Sequence, residues 1–223
     1  MTLHELKIAS YLMQVFSDEE KSYKKIALKE FNLNRGEDSK LLLKFLNEWG
    51  CRQFKIENHN DAAKALKKWY INMHLVLPKH TSCLISQGRK KIKEFIYMFD
   101  SLKDSYASTE IRGFTKTVGP VGAAKTLFAL RKNMFPPWDN PIIDKLGFSR
   151  NGEGYTDYLL CVKDELLKLK QECHKYNIDI RQLPKILNRS HVSLVKFIDE
   201  YYWLTITSKC DPSEIIKLSR SRN

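Results

Sequence analysis

No part of the chain restricts its own backbone more than residues 116–147, KTVGPVGAAKTLFALRKNMFPPWDNPIIDKLG. Gly119 and Gly122 flank Pro120-Val121, and glycine permits positive φ and the close approach of a backbone to a ligand. A helical run over 123–132 follows, with apolar residues at Leu127, Phe128 and Leu130. Pro136-Pro137 brakes it and delivers Trp138-Asp139-Asn140 to a second helix over 141–146. Pro141 suits the first turn of that helix, where its missing N–H is not needed. The stretch therefore reads as a glycine-bearing hairpin, a helix, a tight turn and a helix, with one acid at the mouth of the second helix.

On both sides the pattern is helical. Leu6, Ile8, Ala9, Leu12, Met13 and Phe16 recur at the three-and-four spacing of an amphipathic helix. Ser17 with Glu20 predicts a capping box for a helix reaching about residue 31. Leu41 to Trp49 forms a third apolar stripe, which Gly50 ends. Further helices are predicted over 62–77, stopped by Pro78, and over 89–102. Residues 104–111 read as a polar link into the hairpin. After a loop over 148–154, helices are predicted over 155–176, 180–187 and 190–207, with a short last one capped by Asp211. No segment alternates as a strand does, and the expected class is all-α.

Composition narrows the function. The 223 residues suffice for a substantial core, and 43% hydrophobic content argues against disorder. No run of about eighteen apolar residues predicts a membrane span, and the first residues lack a signal peptide's basic start. A cytoplasmic protein is expected, beside the nucleoid if the source is prokaryotic. The five cysteines are scattered with no Cys-x-x-Cys, which predicts neither disulfides nor structural zinc, and the six histidines form no metal pair. The formal charge is +12. Between residues 111 and 150 there are seven basic residues (Arg112, Lys116, Lys125, Arg131, Lys132, Lys145, Arg150) against two acids, Asp139 and Asp144. A polyanionic partner is expected, bound with salt-dependent affinity.

Gly119-Pro120-Val121-Gly122 followed by Trp138-Asp139-Asn140 resembles the helix-hairpin-helix DNA glycosylase superfamily, which includes endonuclease III and the oxidised-purine glycosylases. The likeness is close over about thirty residues, and Trp49 to Arg52 extends it weakly. It implies a two-lobed all-α fold. One lobe would be 1–35 with 138–223, carrying the Asp139 helix, and the other 36–137, ending in the hairpin and its helix. It implies double-stranded DNA as partner, a monomer, no membrane, no metal, and no iron–sulfur cluster, since four closely spaced cysteines are missing. A monovalent cation on the hairpin carbonyls is also part of the family pattern.

The resemblance assigns roles residue by residue. Backbone N–H groups of Gly119, Val121, Gly122 and Ala123 would meet a phosphate at a helix N-terminus. Arg112, Lys116, Thr126 and Asn140 would contact DNA around it. Asp139 is the candidate catalytic carboxylate: cleaving a base from its sugar builds positive charge at C1′, which a carboxylate stabilises. Asp139 also reads as an ordinary N-cap, and the two roles are compatible. Trp138 is either core or a stacking surface of a lesion pocket. The family's nucleophilic lysine falls in register on Ala124, but the hairpin is one residue longer, which brings Lys125 to that place. Lys125 is therefore either the nucleophile or a phosphate contact. The expected function is a DNA repair glycosylase, with AP-lyase activity left open. The rivals are a non-catalytic DNA-binding protein of the same fold and a helical interaction protein whose charge is incidental.

Overall fold

A computed structural model describes residues 1–16, 19–110 and 113–215. The chain is mostly helical, as the periodicity predicted. Its elements are α1 (Leu3–Phe16), α2 (Glu19–Ala27), α3 (Gly36–Glu48), α4 (His59–Met73), α5 (Arg89–Lys93) and α6 (Ile96–Lys103). Strands β1 (Tyr106–Thr109) and β2 (Thr115–Thr117) then lead into α7 (Gly119–Leu130) and α8 (Asn140–Leu146). Last come α9 (Gly152–Lys175), α10 (Leu183–Ile186), α11 (Leu194–Tyr202) and a π-helical turn, Trp203–Thr207. No helix among the described residues is long and apolar enough to cross a membrane. The Ser17–Glu20 capping box, Arg112 and the basic tail past residue 215 lie outside the described residues.

The expectation of no strand needs correcting. Residues 104–111 are not a plain link: β1 pairs antiparallel with β2, Thr109 opposite Thr115, with an irregularity between Tyr106 and Ser108. Ala107 and Ser108 are buried against α4, whereas every β2 residue is exposed. The hairpin of this region is thus the β-ribbon, and Gly119 is a strand-to-helix junction. Its φ of +69° is open to glycine without strain. The long helix expected over 89–102 breaks into α5 and α6 at Glu94-Phe95.

Caps explain where the central helices start and stop. Asp139 accepts from Ile142 N at 3.0 Å, and Gly147 ends α8 in the left-handed conformation at φ +74°. Asn151 accepts from Gly154 N at 2.9 Å to begin α9. A Cβ on Gly152 would lie 2.3 Å from Ile96 O, so glycine is what lets α9 lie against α6. One buried cluster runs from Leu3 to Ile198 through nearly every element. Trp138 sits at its centre, 1% exposed, edge-on to Phe99 and Tyr155. Tyr155 and Tyr158 donate their hydroxyls to Pro136 O and Pro137 O, both at 3.0 Å. The diproline is held from behind, which fixes the path that presents Asp139.

Candidate functional site

Lys125 and Asp139, fourteen positions apart on two helices, line one small recess with Trp49, Pro137, Trp138, Asp199 and Trp203. The recess holds about 30 Å³, room for one water. Lys125 and Asp139 line this recess together without forming an ion pair with each other. Lys125 Nζ donates to the Trp49 carbonyl at 2.5 Å and lies 5.7 Å from that indole's centroid. Lys196 Nζ lies 4.8 Å from the same ring. The indole is stacked on Phe128 at 5.5 Å, so its position is fixed by the core.

The carboxylates are equally constrained. Asp139 Oδ1 takes the Ile142 N–H, and Oδ2 accepts from Thr207 Oγ1 at 3.2 Å. The π turn carries Thr207 to Asp139 and Trp203 to the recess, and π turns recur at functional sites. Asp199 Oδ2 accepts from Lys196 Nζ at 2.7 Å, and Lys196 lies 3.7 Å from Glu200. Glu200 is clasped by Arg189 at 2.5 and 2.8 Å, and Arg189 also donates to Ser10 Oγ at 3.3 Å. These charges are buried, and they alternate in sign from Arg189 to the recess. That alternation is what makes their burial tolerable. Burial pushes the nearby Cys51 thiol up to about 11, with Lys125 pulling the other way, so this cysteine is not a nucleophile.

A second feature lies at the N-terminus of α7. An open groove of about 480 Å³ is lined by Arg52, Gln53, Asn140 and residues 116–122. It brings together Lys116, Gly119, Val121, Gly122 and Asn140 of the predicted DNA contacts. Lys116 pairs with Glu110 and holds that carboxyl below its usual range. Two corrections follow. Thr126 is fully buried on the inner face of α7, so its side chain is not presented to a ligand; Ala123 is buried too, which leaves its expected backbone contact untouched. Gly122 does not leave its approach open: an added Cβ would meet Gln53 Nε2 at 2.5 Å, and Gln53 itself donates to Val118 O at 2.6 Å. Pro120 O accepts from Trp138 Nε1 at 3.1 Å.

Trp138 is a core residue with one side on the recess. Asp199 and Trp203 were missed as site residues because nothing local marks them, and they reach the recess only through the fold; Trp49 and Arg52, in the segment that extends the resemblance, were given no role there. Phe114 was missed too. It is 66% exposed near the tip of the β-ribbon, the single exposed phenylalanine among those described. Among the described residues no three His, Cys, Asp or Glu converge as a metal group would need. Comparison with family models, curated proteins and solved structures returned no match.

Proposed function

We propose that the chain is a DNA glycosylase of the helix-hairpin-helix type, hydrolysing the N-glycosidic bond of a damaged or mispaired base. The observation that carries this reading is the meeting of Lys125 and Asp139 in one recess. The recess also draws on both proposed lobes: Trp49 and Lys125 come from 36–137, Asp139, Asp199 and Trp203 from 138–223. Phosphates would lie in the groove at α7, where first-turn N–H groups, Arg52 and Lys116 face outward. A flipped nucleotide would then reach the recess along α7.

In this reading hydrogen bonds to both oxygens hold the Asp139 carboxylate in place, and it stabilises positive charge at C1′. The lysine's place in the recess, away from the first turn of α7, favours nucleophile over phosphate contact. Having released a proton, the Lys125 amine bonds to C1′ as the bond to the base breaks, and the base leaves with that electron pair and takes up a proton. Opening the C1′–O4′ bond then gives an iminium on Lys125 and a 4′-hydroxyl, and water adding to that iminium frees the amine and completes the hydrolysis. A recess of about 30 Å³ does not admit a base, so this reading requires the recess to widen when DNA binds. That small volume is the one observation favouring the rival, a DNA-binding protein of the same fold without the chemistry.

The test is a panel of duplexes carrying single lesions, assayed for base release. Asp139→Asn keeps the helix cap and removes the carboxylate, and should lower release by about 10²-fold or more. Binding should hold. Wild-type protein that binds duplex DNA but releases no base from any lesion would leave the binder in place of the enzyme.

A further inference from the structure

Just past the C-terminal end of α7, Arg131 and Lys132 stand side by side with their charges turned inward. Arg131 is 7% exposed; Nε donates to Pro78 O and Nη1 to Leu130 O at 2.7 Å. Lys132 Nζ donates to Lys29 O. Among the described residues neither cation forms an ion pair with a carboxylate, whereas neighbouring Lys29 is paired with Asp38 at 2.7 Å. Lys132 lines a cavity of about 300 Å³ whose polar lining includes Glu30, His80, Asn133, Ser190 and His191. That is the lower end of the size range of small-ligand sites.

Burial, and then the Arg131 charge, bring Lys132 down to about 8, against the opposing pull of Glu30. His80 is held below its usual value by burial first and by Arg131 next. A desolvated lysine beside a second cation is the arrangement that activates an amine toward carbonyl carbon. A perturbed amine in a cleft is also a candidate functional group.

We propose that this cavity is a binding site for a small aldehyde or ketone, which Lys132 captures as a Schiff base. The neutral amine adds to the carbonyl carbon, and the carbonyl oxygen takes up the proton that nitrogen sheds. The resulting carbinolamine takes up a proton from solvent, loses its hydroxyl as water, and leaves a protonated C=N bond to Lys132. No oxidant or cofactor is needed. The site is separate from the Lys125 recess, and nothing in it depends on DNA.

The test uses wild-type protein at pH 7.5 with benzaldehyde or formaldehyde as probe, cyanoborohydride to reduce the imine, and peptide mapping. An amine near 8 holds roughly 10²-fold more free base at that pH than an ordinary lysine. Lys132 should therefore be labelled at least about 10-fold faster than Lys125 or any surface lysine. Lys132→Arg should remove that adduct and Lys125→Ala should leave it. Ser190→Trp narrows the cavity and separates a binding site from a bare reactive amine: it should slow benzaldehyde capture several-fold and spare formaldehyde. Labelling spread evenly over the lysines overturns the proposal. So does a Ser190→Trp protein that captures both aldehydes at the wild-type ratio.

Discussion

Lys125 and Lys132 lie seven residues apart, yet the fold treats them in opposite ways. Lys125 enters a closed recess that two carboxylates share, and behind Asp199 runs the buried chain Lys196, Glu200, Arg189. Lys132 faces an open cavity ten times larger, held by one carbonyl and crowded by Arg131. Each amine is held by one backbone carbonyl, but beside the first the carboxylates are tied into hydrogen bonds and the space is small, whereas the second opens on a far larger cavity. A saturated ion network costs little while whole and much when one member is lost. An uncompensated amine leaves its mark in titration, and its surroundings tolerate change.

The largest expected effect comes from breaking the saturated side. Glu200→Gln leaves Arg189 and Lys196 buried without their shared carboxylate, and should cost about 3–5 kcal/mol in urea unfolding. The matching change on the open side, Glu30→Gln at an exposed residue, should cost no more than about 0.5 kcal/mol. Equal losses would erase the contrast.

Lys132 gives the next effect, and its sign can be worked out. The folded amine titrates near 8, below its ordinary 10.5, so between those values the unfolded chain binds more protons. Stability therefore rises with pH through that window, and the penalty is fully present below about 8. Lys132→Met should flatten this rise and stabilise the protein at pH 7, by less than Glu200→Gln destabilises it. Unfolding midpoints across pH 7 to 10.5 measure both. The smallest effect belongs to Thr207→Val. Losing the bond to Asp139 Oδ2 should cost about 1 kcal/mol of stability, and base release should fall with the freed carboxylate.

Much of the fold was legible because its signals are local. Asp139, Pro141 and Gly147 bound α8 as their chemistry predicts, whereas α9 begins at Gly152, inside the expected loop over 148–154, because Asn151 caps it there. The β-ribbon was not legible: four and three residues are too short for alternation to stand out, and β2 is exposed on both faces. Gly122 could be read as punctuation but not as the place where Gln53 crosses α7, since that contact spans most of seventy residues. The site was half legible. Asp139 and Lys125 belong to one local pattern. Asp199 and Trp203 join them only because α11 and its π turn pack beside α1 and α8. The Lys132 cavity has no sequence signature, because a buried lysine and a surface lysine read alike.

The central claim is that Lys125 and Asp139 form one catalytic pair, and borohydride reduction during turnover on lesion-bearing duplex tests it most directly. Peptide mapping of the trapped protein–DNA adduct should place it on Lys125, and Asp139→Asn should lower its yield by about 10²-fold. An adduct on Lys132 or another lysine would contradict the account, as would a Lys125 adduct that Asp139→Asn leaves unchanged.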